Sequence, residues 1–374
     1  MDKTLLPTGC YDLLPPSARQ ETQCLHALLT AFEANGYEQV APPLLEYTES
    51  LLSGRGSALA SQTFRVMEVD DGKVMGIRPD ITLQVARIAS SRLAHAPHPL
   101  RLSYAGNVLR MTPEGPNASR QLRQAGIELI GAKAAEADAE VIAVTVESLG
   151  KLGVSALTID LHTPGVLSDL LADETLDGEK RAAVMAAVAH KDASAPALQP
   201  LTHYAALKTL MECCGPAVPM LARMRAGGMP RAVEKHVHGA ERVTALLAEV
   251  LPENIRVSVD LTETRGFEYH TGLSFSLFAA HAPQEIGRGG RYLIQGVAAT
   301  GCTLYLDSLR PLLSVPQPER RVFISGVIGR EALEALHAEG FITLKSLPGC
   351  GEGAETAKRL GCTHHWRDGK LEAL

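Results

Sequence analysis

Arg120-Gln121-Leu122-Arg123-Gln124-Ala125-Gly126-Ile127-Glu128 reads as one strand that runs on to Gly131. Side chains alternate across a strand, so Arg120, Gln124 and Glu128 share one face, with Gly126 as a gap between the last two. A polar face with a gap is odd for a strand covered by helices. Two explanations stand at this point. One is a pocket floor, in which Gln124 and Glu128 bind polar groups and Gly126 leaves space for a ligand. The other is a face open to solvent. Upstream, Leu100 to Arg110 reads as a second strand, joined to the first through the polar loop 111–119.

Working outward, 16–36 predicts a helix, with Leu25, Leu28, Leu29 and Phe32 at helical spacing and Asn35-Gly36 as its stop. Residues 39–46 are extended, because Pro42 and Pro43 each push their predecessor towards the β region. A hairpin is expected over 64–78 around Asp70-Asp71-Gly72, followed by helices over 82–91 and 134–152 and a strand over 158–161. From 164 to 252 the pattern is helical throughout, with helices expected over 167–172, 177–190, 198–213 and 231–251. Strands resume over 256–261, and a second hairpin is expected over 267–277, turning at Thr271-Gly272. A proline-rich linker at 311–318 precedes a tail of alternating strands and helices. The sum is an α+β chain: an antiparallel sheet flanked by helices, a helical insertion and a small C-terminal α/β domain.

The 374 residues are 45% hydrophobic and 21% charged, which suits two or three domains with buried cores and excludes disorder or a fibrous repeat. No apolar run approaches the ~18 residues of a membrane-spanning helix. The opening residues do not read as a signal peptide. Seven scattered cysteines predict reduced thiols and a cytoplasmic setting. A net charge of −6 and 4% aromatics weaken the case for nucleic acid, leaving small molecules or proteins as expected partners.

Other residues suggest chemistry. Arg110 ends its strand and is placed either to clamp a carboxylate or phosphate or simply to face solvent. Asp80 and Thr82, in Arg78-Pro79-Asp80-Ile81-Thr82, suit a helix start; they also suit a ligand ammonium, which seeks acceptors. Arg265-Gly266-Phe267-Glu268-Tyr269-His270-Thr271-Gly272 gathers a cation, two titratable rings and two glycines. Gly287-Arg288-Gly289-Gly290-Arg291-Tyr292 has no phosphate-cradling spacing, and no P-loop or dinucleotide fingerprint is present. Cys350, Cys362, His364 and His365 match no standard zinc pattern, so no metal is expected.

Together these segments resemble histidyl-tRNA synthetase, a class II synthetase, over about 5–165 and 255–312. Leu6 to Pro15 is similar to that family's opening, Gly36 to Glu46 to class motif 1 with Pro43 at its proline, and Leu100 to Gly131 to motif 2 with Arg110 at its arginine. Arg265 to Gly272 and Gly289 to Tyr292 resemble the two histidine-specific segments. The resemblance implies a synthetase-like core over 1–163 and 253–314, the insertion at 164–252, a truncated C-terminal domain at 319–374 and a homodimer through motif 1. Ser308 stands where motif 3 has its arginine, and Thr112 where motif 2 has a glutamate. A hydroxyl cannot supply the bidentate cation a leaving pyrophosphate requires. The tail 319–374 balances its acids and bases, a poor reader of phosphates.

Histidine-side residues kept and ATP-side residues lost resemble the regulatory subunits of ATP phosphoribosyltransferase, a synthetase-derived family. That resemblance implies no catalytic residues, no cofactor, and a place beside the short-form catalytic subunit, which it activates and helps to make sensitive to histidine. No membrane or nucleic-acid partner is implied. By residue-wise match, Asp80 and Thr82 would meet the amino group of free histidine. Gln124 and Arg265 would hold its carboxylate, with Arg110 nearby. Glu128, Tyr269 and Tyr292 would face the imidazole, and His270 replaces the tyrosine usual in synthetases. The alternatives are a true histidyl-tRNA synthetase or a paralogue that adenylates an amino acid for another acceptor.

Overall fold

The structure, a computed structural model, describes residues 5–52, 59–68, 72–114, 119–263, 270–282, 284–313, 319–349 and 351–374. The chain divides into two compact units, 1–313 and 314–374. Strands of the first unit are β1 (Glu38–Gln39), β2 (Leu45–Tyr47), β3 (Phe64–Met67), β4 (Val74–Ile77), β5 (Leu100–Glu114) and β6 (Ser119–Ile130). They continue with β7 (Leu157–His162), β8 (Gly215–Pro216), β9 (Arg256–Val259), β10 (Ser274–Ala279), β11 (Glu285–Ile294) and β12 (Val297–Tyr305). Its helices are α1 (Ser17–Ala34), α2 (Thr48–Leu51), α3 (Thr82–Ser91), α4 (Ala135–Lys151) and α5 (Gly165–Leu170). Then come α6 (Gly178–Ala189), α7 (Tyr204–Glu212), α8 (Ala217–Ala226), α9 (Arg231–Val250) and α10 (Leu306–Leu309).

Nine strands form one sheet in the order β1-β5-β6-β12-β11-β10-β7-β9-β8, and β2-β4-β3 form a small second sheet. Within the large sheet β1–β5 and β7–β9 are parallel, and the other neighbours are antiparallel. This is the α+β architecture expected. Strict alternation decides which side each helix covers. On β6, Ala125, Ile127 and Leu129 join Leu28 and Phe32 of α1 and Val141, Ile142 and Leu149 of α4 in one core. Leu122 and Ile130 face the other way and pack with Ile81, just before α3, and Val85 within it. Gln124, Gly126 and Glu128 lie between those two on the same face.

The helical block departs from expectation in detail. The helix expected from 198 begins only at Tyr204, because Pro196 and Pro200 keep the chain before it in turns. Helix α8 was not anticipated; Pro219 sits in its first turn, where a missing N–H costs nothing. Buried side chains of α5–α9 belong to the same core as α1 and α4, so the block is part of the first unit. The second arm of the hairpin expected over 267–277 is β10, bonded on one side to β7 and on the other to β11. Its first arm, 267–269, lies outside the described residues.

In the second unit β13 (Arg321–Ile324), β14 (Ile342–Lys345), β15 (His364–Arg367) and β16 (Lys370–Ala373) order as β14-β13-β15-β16. With α11 (Arg330–Ala338) and α12 (Ala354–Arg359) they make a small α/β unit. Val322 and Ile324 pack under Leu336, while Phe323 between them turns to Ala357 and Cys362. Among the described residues no helix is long and apolar enough to cross a membrane. Nor, among them, do three or more His, Cys, Asp or Glu side chains gather where a metal ion would be held; Cys350 lies outside.

Candidate functional site

The two faces of the large sheet differ in chemistry. The face over α1 and α4 is aliphatic. The opposite face carries Gln124, Glu128, Thr303, Ser274, Ser276 and His162 among its buried positions. Glu128 is 1% exposed and accepts a hydrogen bond from the Tyr292 hydroxyl at 2.7 Å. Burial pushes its pKa up to about 8; hydroxyls of Tyr292, Thr82 and Tyr104 pull the other way, and the charge of Asp80 adds to the rise. Directly opposite on β12 is Gly301. A Cβ there would collide with the Glu128 carboxylate, so glycine is what lets the carboxylate lie across the neighbouring strand.

Asp80 and Thr82 reach this face from the turn entering α3. Asp80 Oδ1 accepts from the Thr82 amide at 2.9 Å, and its Oδ2 accepts from Gln124 Nε2 at 2.8 Å. Gln124 Oε1 accepts from the Ile81 amide at 3.2 Å. The N-cap of α3 is Ile81, which has no side-chain cap, so the capping role expected of Asp80 and Thr82 is not seen; Asp80 instead holds the Thr82 amide two residues on and the Gln124 side chain. Thr82 Oγ1 lies 3.2 Å from the Tyr104 hydroxyl, itself 2.7 Å from Thr303 Oγ1. Tyr104 is fully buried, and burial raises its pKa well above the usual tyrosine range.

Asp80, Thr82, Gln124, Glu128 and Tyr292 are thus brought together. Arg110 stands at the rim, its Nε donating to the Pro79 carbonyl at 3.2 Å. His270 is 8% exposed and packs against Gly290. Arg265 and Tyr269 lie outside the described residues. One expectation is corrected. Gly126 does not leave space for a ligand; the Tyr104 ring fills it, since the two residues are cross-strand partners. Tyr104, Thr303 and Gly301 were missed because each enters only through its register with β6. Period-2 alternation along β5 would have shown that Tyr104 shares a face with Leu102 and Val108.

At the motif 3 position, Ser308 Oγ accepts from Gln284 Nε2 at 3.0 Å. Thr112 is exposed, with its amide on Gln62 Oε1 at 3.1 Å. Arg291 points away from Tyr292, to Asp138 and the carbonyls of Ala132 and Ala134, and so anchors the start of α4. A cleft of about 540 Å³ opens between α5 and α9 beside Arg291. None of the residues expected at a site lines it, and its Lys235 and His236 are spent on Asp169 at 2.6 and 2.7 Å.

A family model for histidyl-tRNA synthetase matches residues 9–309. An ATP phosphoribosyltransferase regulatory subunit from Paramagnetospirillum magneticum (strain ATCC 700264 / AMB-1) is 43% identical over 364 residues, 97% of this chain and 96% of that one. In three dimensions the chain is similar to an ATP phosphoribosyltransferase regulatory subunit/histidyl-tRNA synthetase from Bacillus halodurans, with a TM-score of 0.81, 22% identity and 98% of each chain covered. It is also similar to a chain of the ATP phosphoribosyl transferase (HisG:HisZ) complex from Thermotoga maritima, at TM-score 0.58 and 18% identity, over 76% of this chain and 97% of that one. These two likenesses bear on the fold. The synthetase pattern over most of the length, and a relative this similar from end to end, place the chain in the family of ATP phosphoribosyltransferase regulatory subunits, built on the class II histidyl-tRNA synthetase fold.

Proposed function

We propose that this regulatory subunit works by binding free histidine on the polar sheet face and passing that binding to a short-form ATP phosphoribosyltransferase catalytic subunit, which it also activates. The observation that carries the proposal is Glu128: a fully buried carboxyl, reached by the Tyr292 hydroxyl and neighboured by Thr82, Tyr104 and Asp80. Such a set of acceptors and hydroxyls suits an ammonium and a ring N–H. Asp80 and Thr82 would take the amino group, Gln124 with Arg110 and Arg265 the carboxylate, and Glu128, Tyr292, Tyr269 and His270 the imidazole. The partner is supported by the name of the Thermotoga maritima complex. The chain performs no amino-acid activation in this scheme, because Ser308 and Thr112 replace the charged ATP contacts. A cytoplasmic setting accords with the reduced thiols expected of its cysteines.

The test is an assay of the catalytic subunit with and without this chain and with and without histidine, using the wild type and Glu128→Ala. Activation and assembly should survive the substitution. Removing one partner of a buried charged hydrogen bond costs on the order of 2–5 kcal/mol, so inhibition should need at least about thirtyfold more histidine. Inhibition at the wild-type concentration would place the sensor elsewhere.

A further inference from the structure

Helix α6 ends in a pair of backbone hydrogen bonds: the Lys191 amide donates to the Val188 carbonyl and the Asp192 amide to the Ala187 carbonyl, both at 3.0 Å. The residue at the turn of such a cap has left-handed backbone, and glycine is its usual occupant. Among the described residues, α1, α4, α11 and α12 close with the same pair of bonds and place Gly36, Gly153, Gly340 and Gly361 there. In α6 the position belongs to Lys191, at φ +56°. A side chain in that conformation is uncommon and persists only where its surroundings enforce it. The reason for a lysine therefore lies in what its ammonium touches.

Lys191 Nζ donates to Asp260 Oδ1 at 2.6 Å and to Thr262 Oγ1. The same carboxylate oxygen accepts from the Thr262 amide at 3.2 Å and from its hydroxyl at 3.0 Å. Thr262 is buried, and the Asp260 side chain is nearly so. The Asp260 amide donates to the Leu161 carbonyl of β7 at 2.9 Å, and its carbonyl accepts from the Glu263 amide at 3.2 Å. One ammonium thus ties a helix end in the helical block to the turn 260–263 that leaves β9. Arg265, assigned above to the carboxylate of histidine, follows that turn by two residues in the chain. We propose that Lys191 is a positioning residue for the histidine site: through Asp260 and Thr262 it fixes the turn from which the chain runs to Arg265, and so joins the helical block to the site. The inference rests on the histidine assignment and deepens it, because it names a residue of the block on which binding depends.

The experiment is calorimetric titration of L-histidine into the full chain, alongside thermal unfolding of the ligand-free chain. Lys191→Gly gives the helix end the residue its backbone favours while removing the tie. Its free form should melt no lower than wild type, because an ion pair whose lysine is 33% exposed adds little stability. Its affinity for histidine should nevertheless fall about tenfold, within the usual range of coupling between distant groups. Asp260→Ala should weaken binding as well, and the double variant should bind no more weakly than Asp260→Ala alone, since the two residues act as one contact. Wild-type affinity in Lys191→Gly, a lower melting midpoint of its free form, or losses that add in the double variant overturn the role given to Lys191. If wild type binds histidine and Glu128→Ala does not, that overturn touches Lys191 alone. If wild type binds no histidine, the assignment of the site fails and this inference with it.

Discussion

Glu128 holds its carboxyl where water does not reach, and burial keeps its pKa near about 8 rather than 4.5. Below the unfolded value both states carry the proton. Between the two values the folded chain keeps it and the unfolded chain does not, so stability falls as pH rises through that window. Glu128→Gln is neutral at every pH and should remove this fall. Melting midpoints from about pH 5 to about pH 9 should therefore decline less steeply in the variant than in wild type; parallel curves would contradict the buried acid. The same shift predicts that histidine binding near pH 7 moves a proton if the ligand ionises Glu128. The heat of binding should then change with the ionisation enthalpy of the buffer.

At the scale of elements, Arg78 and Gln84 join segments far apart in the chain. Arg78 is 6% exposed; its Nε donates to the Asn107 carbonyl at 2.8 Å and its Nη1 to the Pro42 carbonyl at 2.8 Å. Gln84 Nε2 donates to the Pro43 carbonyl at 2.7 Å. The proline pair, the end of β4, α3 and β5 are thus fastened by two side chains. Arg78→Ala leaves the buried Pro42 carbonyl and the Asn107 carbonyl short of a donor and opens a cavity, which should cost about 3 kcal/mol in urea unfolding. A loss below about 1 kcal/mol would mean that the proline segment is held by something else. Arg78 opens the segment that was read for Asp80 and Thr82, yet its own role is to fix the turn that presents them.

For the whole molecule, the small β2-β4-β3 sheet leaves Leu44, Leu45, Tyr47, Val66, Met67 and Val74 exposed, Met67 to 68%. A cluster of this kind on one element marks an interaction surface. We propose that a second copy covers it, as the motif 1 resemblance implies. Light scattering at micromolar concentration should give a dimer, and the double variant Tyr47→Glu/Met67→Glu should give a monomer; a monomeric wild type would refute the surface. The proposed absence of synthetase chemistry has its own test. Histidine-dependent pyrophosphate exchange should be absent, and Ser308→Arg should not restore it, because Thr112 also lacks the charge expected at its position. Exchange above background in either protein would return the chain to the adenylating enzymes.

Much of this was written locally. Helix α1 with its stop at Asn35-Gly36, the hairpin of β3 and β4, and the long strands β5 and β6 follow from period and turn chemistry, which act over a few residues. So did the shared face of Gln124 and Glu128, because alternation needs no partner strand. What touches across strands was beyond reach of the sequence: Tyr104 in the gap at Gly126, and Gly301 under Glu128. Those contacts depend on register and on strand order, with β12 from the far end of the unit inserted beside β6. Register is a sum of many weak pairings distributed over the sheet, so no short stretch of sequence states it, and only the assembled sheet decides which side chains share a site.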